Sequence, residues 1–318
     1  MKILLFASMM FFHILEGLAF TVGAATWFSQ DSKSSPSAAI QMVVKLGVSD
    51  DGTVDSQWLE AIRERHDEGT LSALLRNQKQ LSQAEIHWAN LIQSRVSEWS
   101  KLIASLQIPF YGIAPPAAVS ILLGNQGGED AFVSSHSTIC FDLGRLHDLY
   151  GSASETINRE RIDRFFAHEF THLMHKVWRQ EHRLKLETPL DYALWECLTE
   201  GMGNYRSLSA KWLLENGELT RHAEEVLSRL QPIFAERIAA LAKATDVEAS
   251  QLMAGLSSGA FDQKWGALTV ALWLAKEANG DDQNLRKWVD AGPTGILVLA
   301  QKYLPEDLKA EMPRFAEQ

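Results

Sequence analysis

Cysteine is nearly missing: Cys140 and Cys197 are the two thiols in 318 residues. A scaffold stapled by disulfides is excluded, an apolar core has to hold the fold, and the two thiols are expected to be buried and unpaired. Positive charge is also short. Thirty Lys and Arg stand against forty Asp and Glu, a net charge of −10. No basic block interleaved with aromatics occurs, which argues against nucleic acid or an anionic membrane surface as partner. Internal repeats are absent. With 46% apolar residues, the chain can bury one large core or two modest ones.

The first 25 residues stand apart from the rest. Lys2, the apolar run Ile3–Leu15 and the small residues Val22-Gly23-Ala24-Ala25 have the order of a secretory signal peptide. A transmembrane anchor is the competing reading, but His13 and Glu16 interrupt the run before it can span a bilayer. The expectation is a periplasmic or secreted protein with no stable membrane insertion once the signal is removed.

The chemistry is concentrated at Ala167-His168-Glu169-Phe170-Thr171-His172-Leu173. Positions four apart on a helix share one face, so the imidazoles of His168 and His172 can converge on one ion. Glu169 lies one step round the same helix, where its carboxylate can reach a water on that ion. That is the position of a general base.

A second stretch follows, Glu196-Cys197-Leu198-Thr199-Glu200-Gly201-Met202-Gly203-Asn204-Tyr205. Gly201 and Gly203 each cost a helix interior about 0.5–1 kcal/mol relative to Ala, so a helix that keeps both needs close backbone approach to a neighbour. Together the two stretches resemble the gluzincins, in particular bacterial peptidase MA-like domains with an H-E-x-x-H helix followed by an E-G-x-[AG]-[DN] helix. The resemblance implies a zinc-dependent peptidase acting on peptide or protein substrates, with His168, His172 and Glu200 as ligands to Zn2+ and Glu169 as base. Glu196, one turn before Glu200, is the rival third ligand. Asn204 stands where the family commonly places an Asp that accepts a hydrogen bond from a ligand histidine. Gluzincins also take a Tyr or His from a later segment to stabilise the oxyanion. Tyr205 and His222 are the nearest candidates for that role, while Lys264-Trp265-Gly266 offers an indole where related domains carry a Tyr. A zinc-binding protein with little catalysis, or a zinc hydrolase of a non-peptide amide, are the alternatives.

The remaining chain supplies the frame. Gln30–Pro36 reads as a Ser-rich linker, and Ala38–Leu75 as short helices and turns. Ser82 and Glu85 form a capping box for an amphipathic helix ending before Pro109, its aromatic stripe read as core. Ala118–Leu123 and Ser137–Leu143 read as strands; the resemblance makes Ile139–Leu143 the sheet edge to which a peptide adds as a further strand. His136 and His147 are read as surface or structural histidines, and His175 and His182 as solvated ones. Thr188-Pro189 opens the Glu200 helix and Asn216-Gly217 closes it. Helices then follow at about Thr220–Ala244, Val247–Ala254, Ala260–Ala278, Asp282–Asp290 and Gly295–Tyr303. The expected fold is α+β and mostly helical: a signal at 1–25, a helical segment at 26–117, a zincin-like catalytic core with a small sheet at 118–217 and a helical C-terminal subdomain at 218–318.

Overall fold

A computed structural model describes residues 40–49, 51–76, 79–135 and 137–313. The expected signal, the Ser-rich linker and His136 lie outside the described residues. The first element is a strand, β1 (Gln41–Leu46), where short helices and turns are expected. Six residues are too few for periodicity to separate strand from helix, and β1's pairing partner lies far along the chain. Helices α1 (Ser56–Arg63) and α2 (Glu68–Arg76) follow. Then α3 (Gln83–Leu106) starts at the Ser82–Glu85 capping box and stops before Pro109, as expected.

Strands β2 (Ala118–Gly124), β3 (Ala131–Ser134) and β4 (Thr138–Asp142) complete a four-stranded sheet of order β1-β2-β4-β3. β1, β2 and β4 run parallel, and β3 is antiparallel to β4. The expected edge strand Ile139–Leu143 is therefore interior. Ile139 is paired with Ile121 on one side and with Val133 on the other, so its backbone groups are already taken. The edge beside α5 is β3, whose four residues follow the bend at 128–130 and are too few to stand out as a strand in sequence.

Alternation sends the two faces of the sheet to different cores. Val119, Ile121, Leu123, Ile139 and Phe141 join the large cluster with α3 and the later helices. Leu122, Phe132 and Cys140 meet Trp58, Ile62 and Leu71 of α1 and α2. Cys140 thus sits in the small cluster and Cys197 in the large one, and both are free, buried thiols as expected.

After α4 (Leu143–Tyr150) comes α5 (Thr156–Glu181), the histidine helix. Its buried face contains Ile162, Phe166, Phe170, Leu173 and Met174. α3 is fixed to it by Trp99, whose ring stacks on Phe166 at 4.4 Å and whose Nε1 donates to Asp163 at 2.8 Å. Arg95 adds two bonds to the same carboxylate at 2.9 Å.

α6 (Pro189–Ser207) starts at a Thr188–Asp191 capping box with Pro189 in its first turn. It ends at Ser207, well short of Asn216-Gly217. Those two residues instead turn the chain within the small bridge Leu213–Leu219, where Leu214 N donates to Glu218 O at 2.8 Å. An Asn-Gly step marks a turn without specifying which element it closes.

The rest is helical: α7 (Arg221–Leu241), α8 (Asp246–Met253), α9 (Ala267–Ala278), α10 (Arg286–Ala291), α11 (Thr294–Tyr303) and α12 (Glu306–Lys309). α9 begins later than expected because the backbone N–H groups of Trp265 and Gly266 turn aside to Gly255 O and Leu256 O. It closes at Asn279, in the left-handed region at φ +45°. The fold is α+β and mostly helical, with α5 against the sheet and α6 packed between α5 and α9.

Candidate metal centre

His168 and His172 converge as their spacing requires, with Nε2 atoms 2.9 Å apart. Glu200 meets them from α6, Oε1 at 3.4 Å from His172 Nε2 and Oε2 at 3.7 Å from His168 Nε2. All three donor atoms lie within 4.8 Å of one another. Ligands held about 2.0–2.1 Å from a tetrahedral ion stand about 3.3 Å from each other, and the three separations bracket that value. The arrangement fits a small dication carried on two imidazole nitrogens and one carboxylate oxygen.

Gly203 makes the approach possible. A Cβ at this position would fall 2.8 Å from His168 Nε2, so any side chain would displace the imidazole. Gly201 serves the opposite face of α6, where a Cβ would fall 2.5 Å from Val270 of α9. The expected close approach to α5 thus belongs to Gly203 alone, while Gly201 seats the helix on α9.

Ser207 orients the first imidazole. Its Oγ lies 3.2 Å from His168 Nδ1 and itself donates to Gly203 O at 3.3 Å, so Nδ1–H donates to Ser207 and Nε2 keeps its lone pair for an ion. Asn204, expected in that role, is fully buried with neither amide atom bonded. The difference is rotational: Ser207 sits two turns after Glu200, on nearly the same helix face. That i, i+3, i+7 series of Glu200, Gly203 and Ser207 is the sequence signal that could have found it.

Glu196 is not part of the group. It is bonded to the Ser257 hydroxyl, and burial raises its carboxyl to about 7. Tyr205 donates to Asp282 at 2.8 Å, and His222 packs on Trp212 at 5.0 Å. Among the described residues, no hydrogen bond, ion pair or ring contact joins either to the triad. The Trp265 indole donates to Ala254 O.

His175, expected in solvent, is 1% exposed. It faces the core at Phe110 and Trp195, and burial pushes its pKa down to about 3. Three residues past His172 is a step of nearly one turn, which brings it under the helix and not out to water. His147 and His182 are exposed as expected.

Burial dominates the electrostatics. It pushes His172 down to about 4, a neutral imidazole. It opposes charge on His168 too, but Glu200 and Glu169 outweigh it and raise that pKa. Glu200 is held down to about 2, the facing histidines overcoming its burial. Glu169, 7% exposed, is pushed up to about 7 by burial, with Glu200, Glu129 and Asp130 adding to the shift. Its carboxylate bonds to no side chain or backbone group among the described residues.

Glu129 and Asp130, on the turn before β3, form an acidic wall that no motif in the sequence marked. Arg65 pairs with Glu129, and Tyr150 donates to Asp130 at 2.6 Å. Lys176 of α5 donates to Val133 O and Ser135 O, at 3.3 and 3.1 Å, tying the edge strand to the histidine helix. No family model, curated protein or solved structure matches the chain.

Proposed function

We propose that this protein is a zinc-dependent peptidase of the gluzincin type, exported from the cytoplasm. The observation that carries the reading is the convergence of two histidine nitrogens and the Glu200 carboxylate beside a buried carboxylate, Glu169, that forms no hydrogen bond or ion pair among the described residues. A structural metal site needs no such base, and a carboxyl pushed up to about 7 by burial is suited to accept a proton and pass it on.

His168, His172 and Glu200 would hold zinc, with a fourth position open. When bound, zinc polarises a carbonyl and lowers the pKa of a water. Glu169 then takes a proton from the attacking water and delivers it to the departing amine nitrogen. Ser207 keeps His168 in the tautomer that binds through Nε2. With Ile139–Leu143 interior, the edge strand beside the histidine helix is β3, and an extended peptide would add there. Main-chain pairing is indifferent to side chains, so modest specificity is expected.

Metal analysis of the purified protein, followed by a digest of a diverse peptide library with and without a chelator, tests the reading. The expected result is about one zinc per chain and chelator-sensitive cleavage. Zinc bound without any cleavage would move the function to metal binding or to hydrolysis of a non-peptide amide.

A further inference from the structure

Lys264 is the one Lys or Arg among the described residues that is buried. It is 1% exposed. Leu268 N donates to its carbonyl at 3.0 Å, which places it just before the first turn of α9. α9 is the helix seated directly on Gly201, the residue after Glu200. Among the described residues its ammonium forms no hydrogen bond and no ion pair, and it lies 5.7 Å from the Phe261 ring centroid. Burial lowers its pKa, and the carboxylates of Glu200, Asp130, Glu129 and Glu169 act in the other direction. Those are the groups that surround the candidate metal centre.

A buried ammonium without a partner is strongly destabilising, so one that persists next to the helix of Glu200 invites a ligand. The neighbouring cations are engaged, Arg65 with Glu129 and Lys176 with the β3 carbonyls. Of the other candidate donors, Tyr205 has its hydroxyl on Asp282, and His222 packs its ring on Trp212 with no contact to the triad. On the peptidase reading, we propose that Lys264 is a catalytic residue whose Nζ–H donates to the substrate carbonyl oxygen as that oxygen becomes negatively charged. In that step the water oxygen bonds to the carbonyl carbon, the C=O π pair moves onto the carbonyl oxygen, and the water proton passes to Glu169. The pair then returns as the C–N bond breaks, and Glu169 gives its proton to the nitrogen. Lys264 keeps its own proton throughout.

The test uses the full zinc-loaded chain and two dipeptides of the same sequence, one N-phosphorylated and one bearing a thiol. The first presents charged tetrahedral oxygens; the second reaches the metal through sulfur alone. Lys264→Met is expected to keep its zinc and to bind the phosphoryl dipeptide about 100-fold more weakly, with the thiol dipeptide affected about threefold or less. Lys264→Arg is expected to restore most of the loss. Equal affinity of wild type and Lys264→Met for the phosphoryl probe, or equal weakening of both probes, overturns the proposal. A second readout needs only the wild-type fold: the 15N resonance of Lys264 Nζ, identified by its absence in Lys264→Arg, is expected to shift with the phosphoryl probe and not with the thiol. An unmoved resonance overturns the proposal even if Lys264→Met does not fold. A wild-type chain that takes up no zinc sinks the peptidase reading itself, an outcome visible before either probe is added.

Discussion

Two regions of this molecule bury carboxylates, and they treat them in opposite ways. In the C-terminal helices Glu277, on α9, is 7% exposed and surrounded by donors. Lys287 reaches it at 2.9 Å, Tyr303 at 2.5 Å and the Trp288 indole at 3.3 Å, and Lys302 pairs with it as well. Burial works to raise its pKa, yet these partners outweigh it and hold the carboxyl down to about 2. At the histidine centre Glu169 and Glu129 are pushed the other way, to about 7, because burial outweighs the cationic neighbours they have, Arg65 at Glu129 and His168 at Glu169. The difference separates structure from function. A buried charge whose every bond is made stabilises the fold; a group of buried charges left short of partners is held in place by the rest of the fold and is available to a ligand.

The largest expected effect falls on the open region. His168→Ala, His172→Ala and Glu200→Ala should each remove most of the bound zinc, read by metal analysis, while the metal-free proteins melt no lower than wild type. A large loss of metal-free stability in all three would make the centre structural, like the Glu277 site. Saturating zinc, by contrast, should stabilise the wild type by about 2.7 kcal/mol at a hundred times its dissociation constant. Next comes Glu169→Gln, which keeps the shape but cannot take the proton. Cleavage should drop about 10²–10⁴-fold with zinc retained, and an equally active variant would remove the base.

Smaller effects are expected at the closed region. Glu277→Gln should cost roughly 1.5–3 kcal/mol in denaturant unfolding and leave zinc binding untouched. The sign of its pH dependence follows from the lowered pKa. Folded Glu277 titrates at about 2 against an ordinary 4.5, so its contribution is complete above about pH 4.5 and is lost as pH falls toward 2. The Glu277→Gln variant should therefore converge with wild type in acid. Glu196→Gln sets the lower bound. With its carboxylate on Ser257 and outside the triad, zinc content should not change, and loss of metal there with retention in Glu200→Ala would reverse the ligand assignment.

Local rules carried much of the architecture. The capping boxes at Ser82–Glu85 and Thr188–Asp191 set helix starts through bonds within four residues, and those starts stand where expected. His168 and His172 were legible for the same reason, since a helix imposes their common face. Ser207 was readable in principle from its spacing to Glu200 but not from its residue type. The strand β1 was not readable because it pairs with β2, far along the chain, and the edge position of β3 was not readable because it depends on β2 taking the other side of β4. Asn216-Gly217 failed as a helix stop because the same dipeptide serves any tight turn.

By itself, then, the sequence determined what short-range geometry controls: the mostly helical class, the two-histidine face with Glu169 beside it, the two buried thiols and the helix that presents Glu200. Tertiary structure alone decided which carboxylate on that helix meets the histidines, that Ser207 and not Asn204 holds His168, that Tyr205 and His222 are engaged elsewhere, and that Lys264 is buried near four carboxylates. Each of those turns on how α5, α6 and α9 pack, and packing is set by the shapes of side chains from distant segments that no local spacing records.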